Sequence, residues 1–341
     1  MSNRHSELSP EREPEELLAE TTLRPRRLED FIGQTRLKEN LRVYVTAARR
    51  RGGALDHVLF CGPPGLGKTT LACIVGHELG VQVHTTSGPA VEHRGMLAGL
   101  LTQLGEREIL FIDEIHRLNP AVEEYLYPAM EDLAIDVPSG TGAFSQTLRL
   151  TLRPFTLIGA TTRSGLLTSP LRDRFGIVER LEHYGPDDMT QIVERSARIM
   201  AVAVERDGAR EMARRARGTP RIANRLLSRV RDFAEVEGDG RITLAVARSA
   251  LSALEIDDAG LDRTDRALLR SVIEKYAGGP VGVDALAMAL SEERETVENE
   301  IEPYLIQEGF IQRTPRGRMA MPRAYQHLGL SEPARPQGTL F

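Results

Sequence analysis

The sequence predicts three folded parts in series: an α/β domain built on a parallel sheet flanked by helices, a small all-helical lid, and a C-terminal winged helix. Three observations carry this expectation. The run Gly62-Pro63-Pro64-Gly65-Leu66-Gly67-Lys68-Thr69 has the G-x-x-x-x-G-K-T spacing of a phosphate loop, set between an apolar strand and a helix-compatible segment. From Leu23 to Tyr184 short apolar strands alternate with helical segments, the pattern of a parallel sheet covered on both faces. Near the C-terminus three helical segments precede a hairpin pattern, as in a winged helix-turn-helix.

Residues 1–20 carry Glu7, Glu11, Glu13, Glu15, Glu16 and Glu20 with two prolines. They are too polar to bury a core, so a disordered acidic arm is expected. The α/β domain is placed at 21–184, with strands at 57–61, 82–85, 109–113 and 156–160. A Gly-rich turn beside the alternating Thr147-Leu148-Arg149-Leu150-Thr151-Leu152 predicts a β-hairpin inserted at about 134–153. Gly185-Pro186 opens the small helical domain, 185–256, with helices at 208–217 and from Pro220 to about 234. The winged domain is placed at 257–330, with helices at 262–276, 283–290 and 296–307. Its wing runs from Phe310-Ile311-Gln312-Arg313 through the turn Thr314-Pro315-Arg316-Gly317 to Arg318-Met319-Ala320. Residues 331–341 read as a flexible tail.

A chain of 341 residues is too long for one ordinary core. Its 41% hydrophobic and 27% charged content is that of a soluble globular protein. No stretch approaches the ~20 apolar residues of a membrane span, and no apolar signal core is present, so the cytoplasm is the expected compartment. Cys61 and Cys73 are the only cysteines and give no disulfide framework. The net charge of −5 excludes a basic coat, so nucleic-acid contact requires a local patch or a partner.

The phosphate loop sets the chemistry. Its glycines let backbone N–H groups wrap a phosphate chain at a helix N-terminus. Lys68 would reach the terminal phosphates, and Thr69 would supply a hydroxyl ligand to Mg²⁺. In Ile109-Leu110-Phe111-Ile112-Asp113-Glu114-Ile115-His116 an apolar strand ends in two acids, at the edge where parallel sheets bind ligands. Asp113 suits the Mg²⁺ shell, and Glu114 suits the base that orients or deprotonates water. Two such acids could otherwise cap the next helix. His116 is open between sensing the γ-phosphate and packing.

Gly62–Thr70 and Phe111-Ile112-Asp113-Glu114-Ile115-His116-Arg117-Leu118 resemble the nucleotide motifs of AAA+ ATPases. Further strings narrow the resemblance: Tyr127-Pro128-Ala129-Met130-Glu131-Asp132, Leu157-Ile158-Gly159-Ala160-Thr161-Thr162-Arg163 and Leu171-Arg172-Asp173-Arg174-Phe175-Gly176. So do Gly218-Thr219-Pro220-Arg221-Ile222-Ala223-Asn224-Arg225 and Gln312-Arg313-Thr314-Pro315-Arg316-Gly317-Arg318. Together they are similar to the RuvB family of bacterial Holliday-junction branch-migration motors, from about Leu23 to Leu328.

The resemblance implies ATP and Mg²⁺ as cofactors, with Gly65, Gly67, Lys68, Thr69, Thr70 and Asp113 around the phosphates. Leu23 and Arg24 would contact adenine, and Tyr184, Glu131, Asp132 and Leu133 would line or approach the nucleotide. Thr161 would be the polar sensor beside Glu114, although either hydroxyl of Thr161-Thr162 could act. Arg174 would be the arginine finger given in trans to a neighbouring subunit. By residue type alone, Arg172, Arg174 and Arg180 are equal candidates. Arg221 would be the second sensor, reaching from the helical domain. A homo-hexameric ring on duplex and four-way junction DNA is implied, with RuvC in the resolving complex.

The inserted hairpin, expected to expose Ile135, Val137, Phe144 and Leu148, would dock RuvA or else simply fold on its own domain. Ile311 to Arg323 holds Arg313, Arg316, Arg318 and Arg323 and no acid, so the wing would meet DNA phosphates, with Arg294 nearby. The preceding helix bears Glu295, Glu298, Glu300 and Glu302, poor company for a major groove. A wing used for protein contact is the alternative. A clamp-loading or protein-remodelling ATPase, and a nucleotide-switched DNA-binding regulator, are the competing functions.

Overall fold

The computed structural model describes residues 22–139 and 146–332. The acidic arm, Phe144 and most of the expected tail lie outside the described residues. The chain forms two compact units, one ending at Asp188 and one beginning at Met189.

The first unit runs α1 (Thr35–Arg51), β1 (Val58–Cys61), α2 (Lys68–Leu79), β2 (Val83–Ser87), α3 (Arg94–Gln103), β3 (Ile109–Asp113) and α4 (Pro120–Glu131). It continues with β4 (Ala134–Ser139), β5 (Gln146–Thr151), β6 (Thr156–Thr161), α5 (Ser169–Asp173) and β7 (Ile177–Arg180). Five strands form a parallel sheet in the order β2-β3-β6-β1-β7. Helices cover both faces, so β1 and β6 are buried at every position, and four of the five β3 residues are buried. The register aligns Ser87 with Asp113 and Cys61 with Thr161. The strands therefore end together on one edge, which is where ligands of parallel sheets bind.

Four strands match the sequence expectation to within two residues. The fifth, β7, was not expected. Its Ile-Val-Glu-Arg is half polar because it lies at the sheet edge, with Ile177 buried and Val178 46% exposed.

The inserted hairpin is present, with β4 and β5 antiparallel and Val137 opposite Leu148. The expectation that it exposes Ile135 and Val137 is corrected, and that for Leu148 holds. Ile135 is fully buried, Val137 packs against the main core, and Leu148 is 53% exposed. Ile135, Val137, Leu148 and Leu150 share one face, because alternate residues point the same way and cross-strand partners do too. That face is buried at the hairpin's base and emerges toward its tip.

His57 ties β1 to its neighbours. Its Nδ1 accepts the Leu157 N–H at 2.8 Å, and its Nε2–H donates to the Met130 carbonyl at 3.3 Å. The ring lies 5.4 Å from that of Phe155. Burial pushes the imidazole below its ordinary pKa.

The second unit continues with α6 (Pro186–Ile199), β8 (Ala203–Val204), α7 (Arg206–Arg215), α8 (Pro220–Glu237), β9 (Arg241–Ile242) and α9 (Leu244–Ala253). Then come α10 (Arg263–Arg270), α11 (Val283–Leu290), α12 (294–307, with one wide turn at Val297–Ile301), β10 (Ile311–Thr314), β11 (Gly317–Ala320) and α13 (Pro322–Leu328). Pro220 starts α8 at the position where its missing N–H costs nothing. Leu261, Leu268, Leu269, Leu286, Leu305 and Phe310 centre the winged core. Helix α13, unforeseen from sequence, closes that core with buried Ala324 and Tyr325.

A histidine with a lowered folded pKa contributes stability that is full above pH ~6.5 and lost as pH falls toward the folded pKa. Urea unfolding of the first unit should therefore weaken below pH ~6.5. In His57→Gln, whose amide does not titrate, the slope should drop by about one proton, ~1.4 kcal/mol per pH unit. An unchanged slope would show that His57 titrates normally.

Candidate active site

The phosphate loop leaves β1 and enters α2. Gly62 has φ +143°, and a Cβ there would stand 2.6 Å from the Leu181 carbonyl oxygen. Gly67 has φ +104°, and a Cβ there would press on the Phe31 ring at 3.1 Å. The loop is thus a shape that only glycine completes at these points. The Gly62 N–H donates to the Thr161 carbonyl at 3.1 Å, which pins the loop to the end of β6. Lys68 is only 6% exposed, and its Nζ donates to the Gly62 and Pro63 carbonyls at 2.7 and 2.9 Å. The Thr69 hydroxyl donates to Asp113 Oδ2 at 3.2 Å. A buried ammonium, a helix N-terminus and an open glycine cradle fit the phosphates of a nucleotide. Among the described residues no cluster of three or more His, Cys, Asp or Glu could hold a metal by itself. One hydroxyl and one carboxylate, completed by phosphate and water, is the donor set that suits Mg²⁺.

Glu114 adopts φ 48° and ψ 48°, a left-handed conformation rare outside glycine. Its Oε2 accepts from the Thr162 hydroxyl at 3.0 Å and lies 3.2 Å from His116 Nδ1. The hydroxyl that meets Glu114 is therefore that of Thr162. Thr161 is fully buried, and its hydroxyl lies 3.0 Å from the same His116 nitrogen and accepts the Arg163 N–H at 3.0 Å. Both oxygens lie within reach of a proton on Nδ1. Burial pushes the imidazole below its ordinary range, against the pull of Glu114. His116 is thus packed and in contact with the carboxylate at once. Thr161 is the last residue of the fully buried β6, and Thr162 begins the bend after it, a boundary that the sequence pattern did not mark.

Tyr184 is buried, and its hydroxyl donates to the Leu66 carbonyl within the phosphate loop at 3.0 Å. Its ring closes on Gly33, and burial holds the phenol far above its ordinary pKa. Leu23 is buried and Arg24 half-buried on the segment before α1.

A second cluster forms at the end of α4. Arg174 donates to Glu131 at 3.1 Å and to the Pro170 carbonyl at 2.6 Å, and lies 4.3 Å above the Tyr127 ring. Arg172 and Arg180 are exposed, so the structure separates three arginines that sequence left equal. Asp132 pairs with Arg149 of the hairpin at 2.9 Å, and Leu133 has φ 51°. Sequence reasoning missed Tyr127, whose aromatic face was the available signal.

In the second unit Arg221 occupies the first turn of α8. Arg313 is 57% exposed and 2.9 Å from Glu298, and Arg316 is exposed on the turn of the wing. Arg294, also 57% exposed, lies 3.4 Å from Asp284. Arg323 stacks on Phe310 at 4.7 Å. Arg318 departs from the expectation of a solvent-facing wing arginine. It is 6% exposed, and its guanidinium is held by Glu302 at 2.5 and 3.0 Å and by Glu298 at 3.1 Å. The acids of α12 were read as a face unsuited to DNA; two of them are internal partners of the wing.

A phosphate loop on a five-stranded parallel sheet, a buried threonine ending the neighbouring strand and an acidic pair ending the strand beyond define a P-loop ATPase of the AAA+ class. Family models match the whole of this architecture. The RuvB Holliday junction DNA helicase P-loop domain matches residues 23–181, the RuvB AAA lid domain 184–257 and the RuvB C-terminal winged helix domain 258–329. The chain belongs to the RuvB family. It is 57% identical to the Holliday junction branch migration complex subunit RuvB of Myxococcus xanthus strain DK1622, over 100% of this chain and 99% of that one. It is 59% identical to the protein of the same description from Anaeromyxobacter sp. strain K, over 94% of each. The solved Thermotoga maritima RuvB Holliday junction branch migration motor superposes with a TM-score of 0.83 at 49% identity, covering 92% of this chain and 100% of that one.

Removing the Thr162 hydroxyl should leave the carboxylate of Glu114 less well aimed. A hydrogen bond to a charged group contributes about 1.5–3 kcal/mol, so Thr162→Val should slow ATP hydrolysis about 10- to 100-fold. Nucleotide affinity, measured by equilibrium titration, should change less than about threefold, since Lys68 and the loop are untouched. Full activity would mean that Glu114 needs no such support.

Proposed function

We propose that this chain is the ATP-driven motor of Holliday-junction branch migration, acting as a homo-hexameric ring on duplex DNA. The observation that carries the proposal is one chain holding both an ATPase edge, where Lys68, Thr69–Asp113 and Glu114–Thr162 converge, and a winged helix with exposed Arg313 and Arg316. The relatives named as branch migration complex subunits give the substrate class. Bound ATP with Mg²⁺ supplies the phosphoryl group whose transfer to water releases the energy used.

In this reading Gly65, Gly67, Lys68 and Thr70 hold the phosphates, and Thr69 and Asp113 hold Mg²⁺. Leu23, Arg24 and Tyr184 frame the base. Glu114 accepts the proton of the attacking water while Thr162 and His116 fix its carboxylate; Thr161 holds His116 from behind. Arg174, leaving Glu131, neutralises charge developing at a neighbouring subunit's site, and Glu131, Asp132 and Leu133 belong to that interface. Arg221 acts as the second sensor. The emerging apolar face at Leu148 docks RuvA, and RuvC joins the resolving complex. Arg313 and Arg316, with Arg294, meet DNA phosphates without reading bases; Arg318 would do so only after leaving Glu302. Among the described residues no helix is long and apolar enough to cross a membrane; action on DNA in the cytoplasm is part of this reading.

The test is ATP-dependent separation of a labelled synthetic four-way junction with RuvA and Mg²⁺. Wild type should separate the strands, and Glu114→Gln should bind nucleotide but fail to separate them. Hydrolysis with an intact junction would favour a remodelling ATPase. For the wing, Arg313→Ala with Arg316→Ala should weaken duplex binding irrespective of sequence. It should also flatten the log–log salt dependence by about two, one per lost phosphate contact. An unchanged slope would point to a protein-binding wing.

A further inference from the structure

Between α7 and α8, Arg217 stands four residues before Arg221. It is a non-glycine residue at φ 55°, a costly conformation that persists only when its surroundings over-determine it. They do so here. The side chain is 5% exposed. Its Nε donates to the Gly260 carbonyl at 2.8 Å, and its Nη2 pairs with the carboxylate of Asp265, with Asp262 at 3.8 Å. Its guanidinium lies 4.6 Å from the ring centre of Tyr304.

Those partners belong to the winged helix. Asp265 sits in the first turn of α10, in a reciprocal capping box with Asp262. Tyr304 is on α12 and donates its hydroxyl to the Ala259 carbonyl at 2.7 Å. Two residues earlier on α12, Glu302 holds Arg318 of the wing. Arg215 adds bonds to the Ile256 carbonyl and to Asp258, each 2.7 Å. Burial pushes the Asp265 carboxyl up to about 7, against the pull of Arg217. A chain of buried, charge-assisted contacts therefore runs from the turn that aims Arg221 to the helix that carries the wing. Such contacts are geometrically specific, and side chains so closely packed transmit a displacement rather than absorb it.

We propose that Arg217 is a positioning residue for the motor: it latches the Arg221 turn to α10 and α12, so that a change at Arg221 is delivered to the DNA-binding wing. This rests on reading Arg221 as the nucleotide sensor and the wing as the DNA contact. The latch touches neither nucleotide nor DNA. Its loss should uncouple the two activities while leaving each in place.

The test uses the full chain and three readouts: ATP hydrolysis, duplex affinity at fixed salt, and four-way junctions separated per ATP hydrolysed. In Arg217→Met with Asp265→Leu, the ion pair is replaced by apolar side chains, a change that buried pairs commonly tolerate. Hydrolysis and duplex affinity should stay within about twofold, while junctions separated per ATP should fall about tenfold or more. Tyr304→Leu keeps the pair but removes the stacked ring and its hydroxyl. It should show the same uncoupling more weakly, and it serves if the double variant does not fold. Arg217→Lys, which keeps the charge, should recover part of the yield.

Unchanged yield per ATP would overturn the latch. So would a parallel fall of all three readouts with the melting temperature, which would mark a role in folding only. Arg221→Ala separates the two readings. If it hydrolyses ATP at the wild-type rate, the sensor reading fails and the latch with it. If it is inactive while the Arg217 double variant keeps full yield, the latch alone fails.

Discussion

The first unit is organised around an ammonium that has been taken out of water. A buried cation needs oxygen partners, and Lys68 finds them in the carbonyls of Gly62 and Pro63, in the loop that it closes. Those carbonyls can turn inward only because the loop contains glycines in left-handed conformations. The loop is then anchored outward on three sides. Gly62 is bonded to β6 at Thr161, Leu181 beyond β7 is bonded to Cys61 at the end of β1, and Tyr184 is bonded to Leu66. Catalytic and structural roles are therefore not separable here. The strand that ends at Thr161 carries both the anchor of the loop and, one residue on, the hydroxyl that steadies Glu114.

Charge in the winged helix obeys a similar logic. The chain is acidic overall, and its wing has three arginines without an acid between them, the fourth expected there, Arg323, standing instead on α13. Self-repulsion within the wing is relieved by Glu298 and Glu302, which α12 turns toward it. Glu298 alone lies within ion-pair distance of Arg294, Arg313 and Arg318. Glu302 also holds Arg318 and Asp284 lies beside Arg294, so these arginines are matched by acids, and Arg316 stands exposed on the turn of the wing.

The architecture was legible because its signals are local. A phosphate loop needs a strand before it and a helix after it, and four short runs fixed the three central strands and the edge strand β2. The edge strand β7 was hidden by its polar half, and α13 by its short span of seven residues. At the site, Lys68, Thr69, Asp113 and Glu114 were legible by spacing. The choice between Thr161 and Thr162 was not, because it turns on where β6 ends: Thr161 closes the buried strand, and Thr162 begins the bend beyond it. The burial of Ile135 and of Arg318 was illegible for a related reason. A hairpin and a wing both look exposed in sequence, and only their packing partners decide which face is covered. Those partners, the main core and Glu302, are supplied by distant parts of the chain.

Partner burial also sorts the arginines by how readily they can change partners. Arg174 is held by Glu131, a carboxylate 57% exposed, and its Nε is buried with no hydrogen-bond partner. An ion pair with so exposed a partner contributes only ~0–1 kcal/mol, so Glu131 holds the guanidinium weakly beside the Pro170 carbonyl and the Tyr127 ring. Arg318 is the opposite case. Glu302 is 1% exposed, and separating the pair would strand a buried carboxylate at a cost of about 3–5 kcal/mol. The same residue type thus has an exposed ionic partner at one site and a buried one at the other. A phosphate approaching the wing would meet Arg313 and Arg316 first. Arg318 contributes by fixing β11, the strand paired with the one that carries Arg313.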